Sequence, residues 1–126
     1  MKNITILGKE YPIEYTVEAQ GIIVEKAGGM DKLGTVFEEH FPFMLSTMMI
    51  AAKHKNEFFS RMNNEKYEGN EPLTEEELND IIAILLPSEK NKIAKEVMTV
   101  VNEACKADVE TVAEKGQKGK KLTKSE

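Results

Sequence analysis

The side chains that could do chemistry are few. His40 and His54 are the two histidines, and neither has a Cys, Asp or Glu cluster at the short spacing of a metal site. They read as solvated or capping residues, and no metal is expected. Cys105 is the one cysteine. A nucleophilic thiol needs a base beside it and surroundings that lower its pKa. No such partner is evident, so Cys105 reads as a small core filler. Glu75-Glu76-Glu77 follow Thr74 at the spacing of a capping box, a use that accounts for them without acid–base catalysis. Gly28-Gly29 lacks the lysine and Ser/Thr of a phosphate loop and follows no buried parallel strand, so it reads as a helix stop. No catalytic residue and no cofactor is expected. Met44, Met48 and Met49 remain, and methionine packs adaptably at binding surfaces. The residues point to binding rather than catalysis.

A chain of 126 residues can bury one modest core. Its net charge of −5 argues against generic nucleic-acid binding, which needs cations to displace counterions from phosphates. One cysteine forms no internal disulfide, which fits a reducing cytoplasm. No apolar run reaches the roughly 18 residues that span a bilayer. The start Met1-Lys2-Asn3-Ile4 lacks a secretory apolar region, so an intracellular protein without a membrane partner is expected.

The elements that must position any surface are mainly helical. Ile4 and Ile6, then Tyr11, Ile13 and Tyr15, alternate with polar residues and predict an N-terminal hairpin over about 3–16, turning at Gly8-Lys9. Pro12 suits an edge position. A helix runs from Thr16, its cap, to Ala27, with Ala19, Ile22, Ile23 and Ala27 inward. Gly21 inside it suggests a close backbone approach. Asp31 caps a short helix with Leu33, Val36 and Phe37 inward. Pro42 opens a long helix to Arg61 that is apolar nearly all round in its first half. After a polar loop, Thr74 caps a helix with the stripe Leu78, Ile81, Ile82 and Leu85, ended by Pro87. Ser88 caps the last helix, whose inner face is Ile93, Val97, Val100, Val101, Ala104 and Val112. The fold expected is a hairpin packed on four to five helices as one domain over 1–114. A disordered lysine-rich tail follows over 115–126, too polar to offset chain entropy.

The opening Ile4-Thr5-Ile6-Leu7-Gly8-Lys9-Glu10-Tyr11-Pro12-Ile13 resembles that of small tail assembly proteins from long-tailed bacteriophages. The Ala27-Gly28-Gly29-Met30-Asp31-Lys32-Leu33-Gly34 segment and the acidic cap Pro72-Leu73-Thr74-Glu75-Glu76-Glu77-Leu78 are similar in kind and order, and the likeness covers about 3–105. The resemblance implies a tail assembly chaperone, the short product of a frameshift gene pair. Such a protein holds the tape measure protein before the tail tube polymerises around it, and is absent from the finished virion. The tail tube protein and a longer frameshifted form of the chain are further partners it implies. Gly119-Lys120-Lys121 can be encoded by an adenine-rich slippery heptamer. Two other readings are a head–tail connector or minor tail component retained in the virion, and a small regulator that binds nucleic acid through the lysine tail.

A tape measure protein is long, helical and partly apolar, so it would aggregate through exposed stripes. The contact surface expected for holding it is Phe43, Met44, Met48 and Met49 with Leu78, Ile81, Ile82 and Leu85. Self-association through the Pro42–Arg61 helix is open. If those methionines form the surface, Met48→Asp abolishes solubilisation of the partner and leaves helicity intact.

Overall fold

Two strands and five α-helices are formed by the described residues, 2–66 and 69–116, of a computed structural model, with side-chain surroundings through Lys106. The strands β1 (Lys2–Ile6) and β2 (Lys9–Ile13) form an antiparallel hairpin in the register Ile4↔Tyr11 and Ile6↔Lys9. Ile4, Ile6, Tyr11 and Ile13 share its buried face. The turn is Leu7-Gly8, one residue earlier than expected. Both residues have positive φ, 51° and 81°, as a type I′ turn demands. Glycine takes that conformation freely, whereas leucine does so at a cost of about 1–2 kcal/mol.

Helix α1 (Val17–Ala27) starts where Thr16 accepts a hydrogen bond from the Ala19 amide. It stops where Gly28, at φ 88°, turns its amide back to the Val24 carbonyl. Ala19 and Ile23 face the core, but Ile22 is exposed. Gly21 marks no close approach: a methyl group there would meet open space. It weakens the helix by about 1 kcal/mol relative to alanine with no packing return. A single 3-10 turn, Met30–Lys32, then leads into α2 (Leu33–Glu39). Asp31 lies inside that turn and caps nothing by its side chain, contrary to expectation.

Helix α3 (Phe41–Met62) is the axis of the fold. Pro42 sits in its first turn, where a missing amide costs nothing. The six residues Met44 to Met49 are all buried, as are Phe41, Ala51 and Ala52. The helix can be buried on every side because β2, α1, α2 and α4 all pack against it. Its two buried hydroxyls are satisfied. Ser46 Oγ donates to the Leu73 carbonyl at 2.8 Å, and Thr47 Oγ1 to the Phe43 carbonyl at 2.8 Å. The far end closes in a Schellman motif: Asn64 takes φ 60°, and the Glu65 amide reaches the Ser60 carbonyl at 2.7 Å.

The capping box of α4 (Glu75–Ile84) forms in full, Thr74 Oγ1 taking the Glu77 amide and Glu77 Oε1 the Thr74 amide. Helix α5 (Pro87–Gly116) begins one residue before the expected cap. Ser88 lies within its first turn, and Glu89 Oε1 accepts from the Leu86 amide in the capping role. Ile93, Val97 and Val101 bury its inner face, and its flank runs beside β1. Val112 lies beyond the described side chains. The helix continues through Gly116; the rest of the expected tail, from 117, lies outside the described residues. One contiguous core joins residues of both strands and all five helices.

This arrangement corrects the expected contact surface. Met44 (2% exposed), Met48 (0%), Met49 (2%) and Leu78 (0%) are interior. An apolar helix can be covered by its own core or by a partner, and here the rest of the chain covers the first half of α3. Met48→Asp therefore places an unpaired carboxylate in the core and unfolds the protein. Circular dichroism and thermal melting should show lost helicity, not a folded protein that has lost binding.

Candidate partner-binding surface

The residues first considered for chemistry are spread across the fold. His54 Nδ1 lies 3.0 Å from Glu18 Oε1 and links α3 to α1 at the surface. His40 joins α2 to α3 by its backbone: its amide donates to the Val36 carbonyl, and its own carbonyl accepts from the Met44 amide. Glu75, Glu76 and Glu77 form the acidic first turn of α4. Among the described residues, no group of three or more His, Cys, Asp or Glu side chains could hold a metal ion.

Cys105 is half-buried and lines a small cavity of about 50 Å³ with Tyr15, Gln20 and Ala104. The Tyr15 hydroxyl is buried there with no well-formed hydrogen bond. Burial raises its pKa above the usual 10.0, against a lowering influence from the nearby Gln20 side chain. The tyrosine thus stays neutral at physiological pH, a packing residue and not a base.

Binding surface must come from apolar groups left in the open. Phe43 is half-buried, with the Lys26 ammonium over its ring at 5.1 Å from the centroid. Ile81, Ile82 and Leu85 are half-buried against the core. The larger exposed apolar residues of α3 lie further along the helix. Phe58 is 50% exposed, Phe59 48% and Met62 66%. The two rings meet edge to face at 5.6 Å between centroids, and Arg61 lies 5.9 Å from the Phe58 ring centre. Ile50, Phe58 and Met62 follow the i, i+4 progression, with His54 between the first two, so they form a slowly drifting strip on one side of α3.

Ion pairs hold this half of α3 in place. Lys55 Nζ lies 3.3 Å from Glu14 Oε1, and Lys53 pairs with Glu71. These contacts are partly exposed, and pairs of that kind contribute about 0–1 kcal/mol each. They orient the helix more than they stabilise it. The strip was missed in the sequence because charged residues surround it. The available signal was two adjacent aromatics and a methionine at helical spacing, beyond the point where the core could reach.

Ile84 and Leu86, at the α4–α5 junction, are also exposed. Among the described residues, no helix is long and apolar enough to cross a membrane. Comparison with protein-family models, with curated proteins and with solved structures finds no match to the chain.

Tyr15→Phe removes a buried hydroxyl that lacks a partner, so it should be neutral or stabilising by up to about 1 kcal/mol at pH 7. The sign reverses nowhere below pH 10. With the folded pKa raised, the tyrosine's contribution is fully present below the unfolded value and is lost as pH rises through the folded one. Melting curves of both proteins at neutral and alkaline pH should show the variant losing less stability above about pH 10.

Proposed function

We propose that this chain is a non-enzymatic binding protein that serves as a tail assembly chaperone of a long-tailed bacteriophage, holding the tape measure protein in solution during tail assembly. One observation carries the reading of a binding protein. The helix whose first half forms the core presents Phe58, Phe59 and Met62 to solvent from its second half. Large apolar side chains grouped this way, rimmed by charge, mark a contact site for another macromolecule. The order of the hairpin, Gly-Gly and acidic-cap segments supports the phage assignment.

The surface suits the task. An extended helical client exposes repeated apolar stripes, and a chaperone for it must accept many sequences weakly. Aromatic and methionine side chains adapt to varied partners, and many copies along one client add avidity. The strip stands on a rigid helix, so little ordering entropy is lost on contact. The proposed setting is the cytoplasm of the bacterial host before the virion is complete. The contact residues proposed are Ile50, Phe58, Phe59 and Met62, in place of the buried methionines.

Co-expression with the long helical protein encoded downstream tests this. The client should be soluble and co-purify in the presence of the native chain. The Phe58→Ser/Met62→Ser variant should keep its melting temperature within a few degrees and lose most of the client from the soluble fraction. A client equally soluble without the chain would refute the chaperone role. Unchanged co-purification with the variant would move the contact away from α3.

A further inference from the structure

The exposed strip on α3 carries opposite charges at its two ends. Phe58 stands in its middle, four residues from His54 on one side and four from Met62 on the other. At the His54 end, Glu18 of α1 sets both carboxylate oxygens 3.0 Å from the histidine Nδ1, and its side chain stays 47% exposed. At the Met62 end, Arg61 is exposed, its guanidinium carbon 5.9 Å from the centre of the Phe58 ring. Helical spacing puts His54 and Arg61 on one flank of Phe58, and Lys55 and Phe59 on the other. Lys55 is engaged there by Glu14.

A surface that presents carboxylate, aromatic ring and guanidinium in that order matches its own reverse. We propose that this strip is the two-fold interface of a homodimer, with α3 of a second copy packed antiparallel and the axis at Phe58. That axis brings Phe58 against the partner's Phe58, and Met62 against the partner's His54. Arg61 then falls about 1.5 Å along the helix from the level of the partner's His54. It lies on the same flank as that histidine, within reach of the carboxylate of the partner's Glu18. The two-fold axis repeats the contact, so one register makes two charge pairs. A parallel copy would set Arg61 beside Arg61 and make none.

The area available sets the strength. An aromatic side chain buries about 150–250 Å² when fully covered, and Phe58 and Phe59 are already half-covered within the chain. The two strips together therefore fall short of the roughly 1,200–2,000 Å² of a stable interface, and the dimer is weak and concentration-dependent. The dimer and the client would cover the same strip and so exclude each other. That exclusion rests on the function proposed above; the dimer itself does not.

Sedimentation velocity of the full chain alone, over about a hundredfold range of concentration reaching about 1 mM, tests the interface. A reversible monomer–dimer equilibrium is expected. Arg61→Glu should weaken it about tenfold or more, because two like-charged contacts replace two attractive ones. Glu18→Arg should do the same, and Glu18→Arg/Arg61→Glu should return the affinity to within about threefold of the native chain. Both side chains are exposed, so circular dichroism spectra should not change. Should Glu18→Arg disturb the start of α1, Phe58→Glu serves, since it sets two carboxylates at the axis and should leave a monomer. Three results would overturn the proposal: a monomer at every concentration, a dimer indifferent to Arg61→Glu and Phe58→Glu, or a well-folded double charge variant that regains no affinity. All three are read without the client, so none of them bears on the chaperone role.

Discussion

The burial of α3 from Met44 to Met49 on every side is the constraint on which the rest of the structure depends. An amphipathic helix can rest on one layer, but a helix with six consecutive buried residues must be wrapped. That requirement explains why a short hairpin, three other helices and a loop converge on one axis. The hairpin alone would be marginal in water, and α1 and α4 are short. Each gains stability mainly by covering part of α3, at about 1.5–3 kcal/mol for each large apolar side chain withdrawn from water. A helix can occupy such a position because its own ladder satisfies its backbone. The two hydroxyls that enter with it, on Ser46 and Thr47, find carbonyls of Leu73 and Phe43.

The same helix outlasts its own core. At about 1.5 Å per residue, its 22 residues extend some 33 Å, more than the hairpin and short helices can cover. Beyond Ala52 the wrapping elements give way to surface polar contacts, the Lys55–Glu14 and Lys53–Glu71 ion pairs and the contact of His54 with Glu18. Rigidity is thus inherited from the buried half, while the outer half offers Phe58, Phe59 and Met62 to solvent. The structural role and the proposed contact role are divided along one element. A core substitution and a surface substitution on α3 therefore have different physical consequences.

Local chemistry was legible in the sequence where a few neighbouring residues decide the outcome. Thr16, Gly28 and the Thr74–Glu77 capping box act within one helical turn and form as their spacing implies. Pro42 at a helix start is equally local. The hairpin is legible from alternation, but its turn is Leu7-Gly8 and not Gly8-Lys9, because Leu7, a poor occupant of positive φ by residue type, takes the first turn position. Residue type favours Ser88 as a cap, whereas Pro87 already serves as the first helical residue. The methionines show the deeper limit. Apolarity says that Met44, Met48 and Met49 must be covered, but it does not say by what. The answer depends on β2, α1, α2 and α4 meeting around them, which no local pattern encodes. Phe58 and Phe59 were hidden by the opposite error, their charged neighbours suggesting an ordinary solvated face.

Amide hydrogen exchange along α3, with and without the proposed tape measure client, tests the division of this helix most directly. The account predicts the slowest exchange from Met44 to Ala52 in the free protein, unchanged by the partner. It predicts faster exchange from Phe58 to Met62, slowed when the partner binds. Fast exchange at Met44 to Met49 in the free chain, with partner protection confined to that segment, would contradict it and return the methionines to the binding surface.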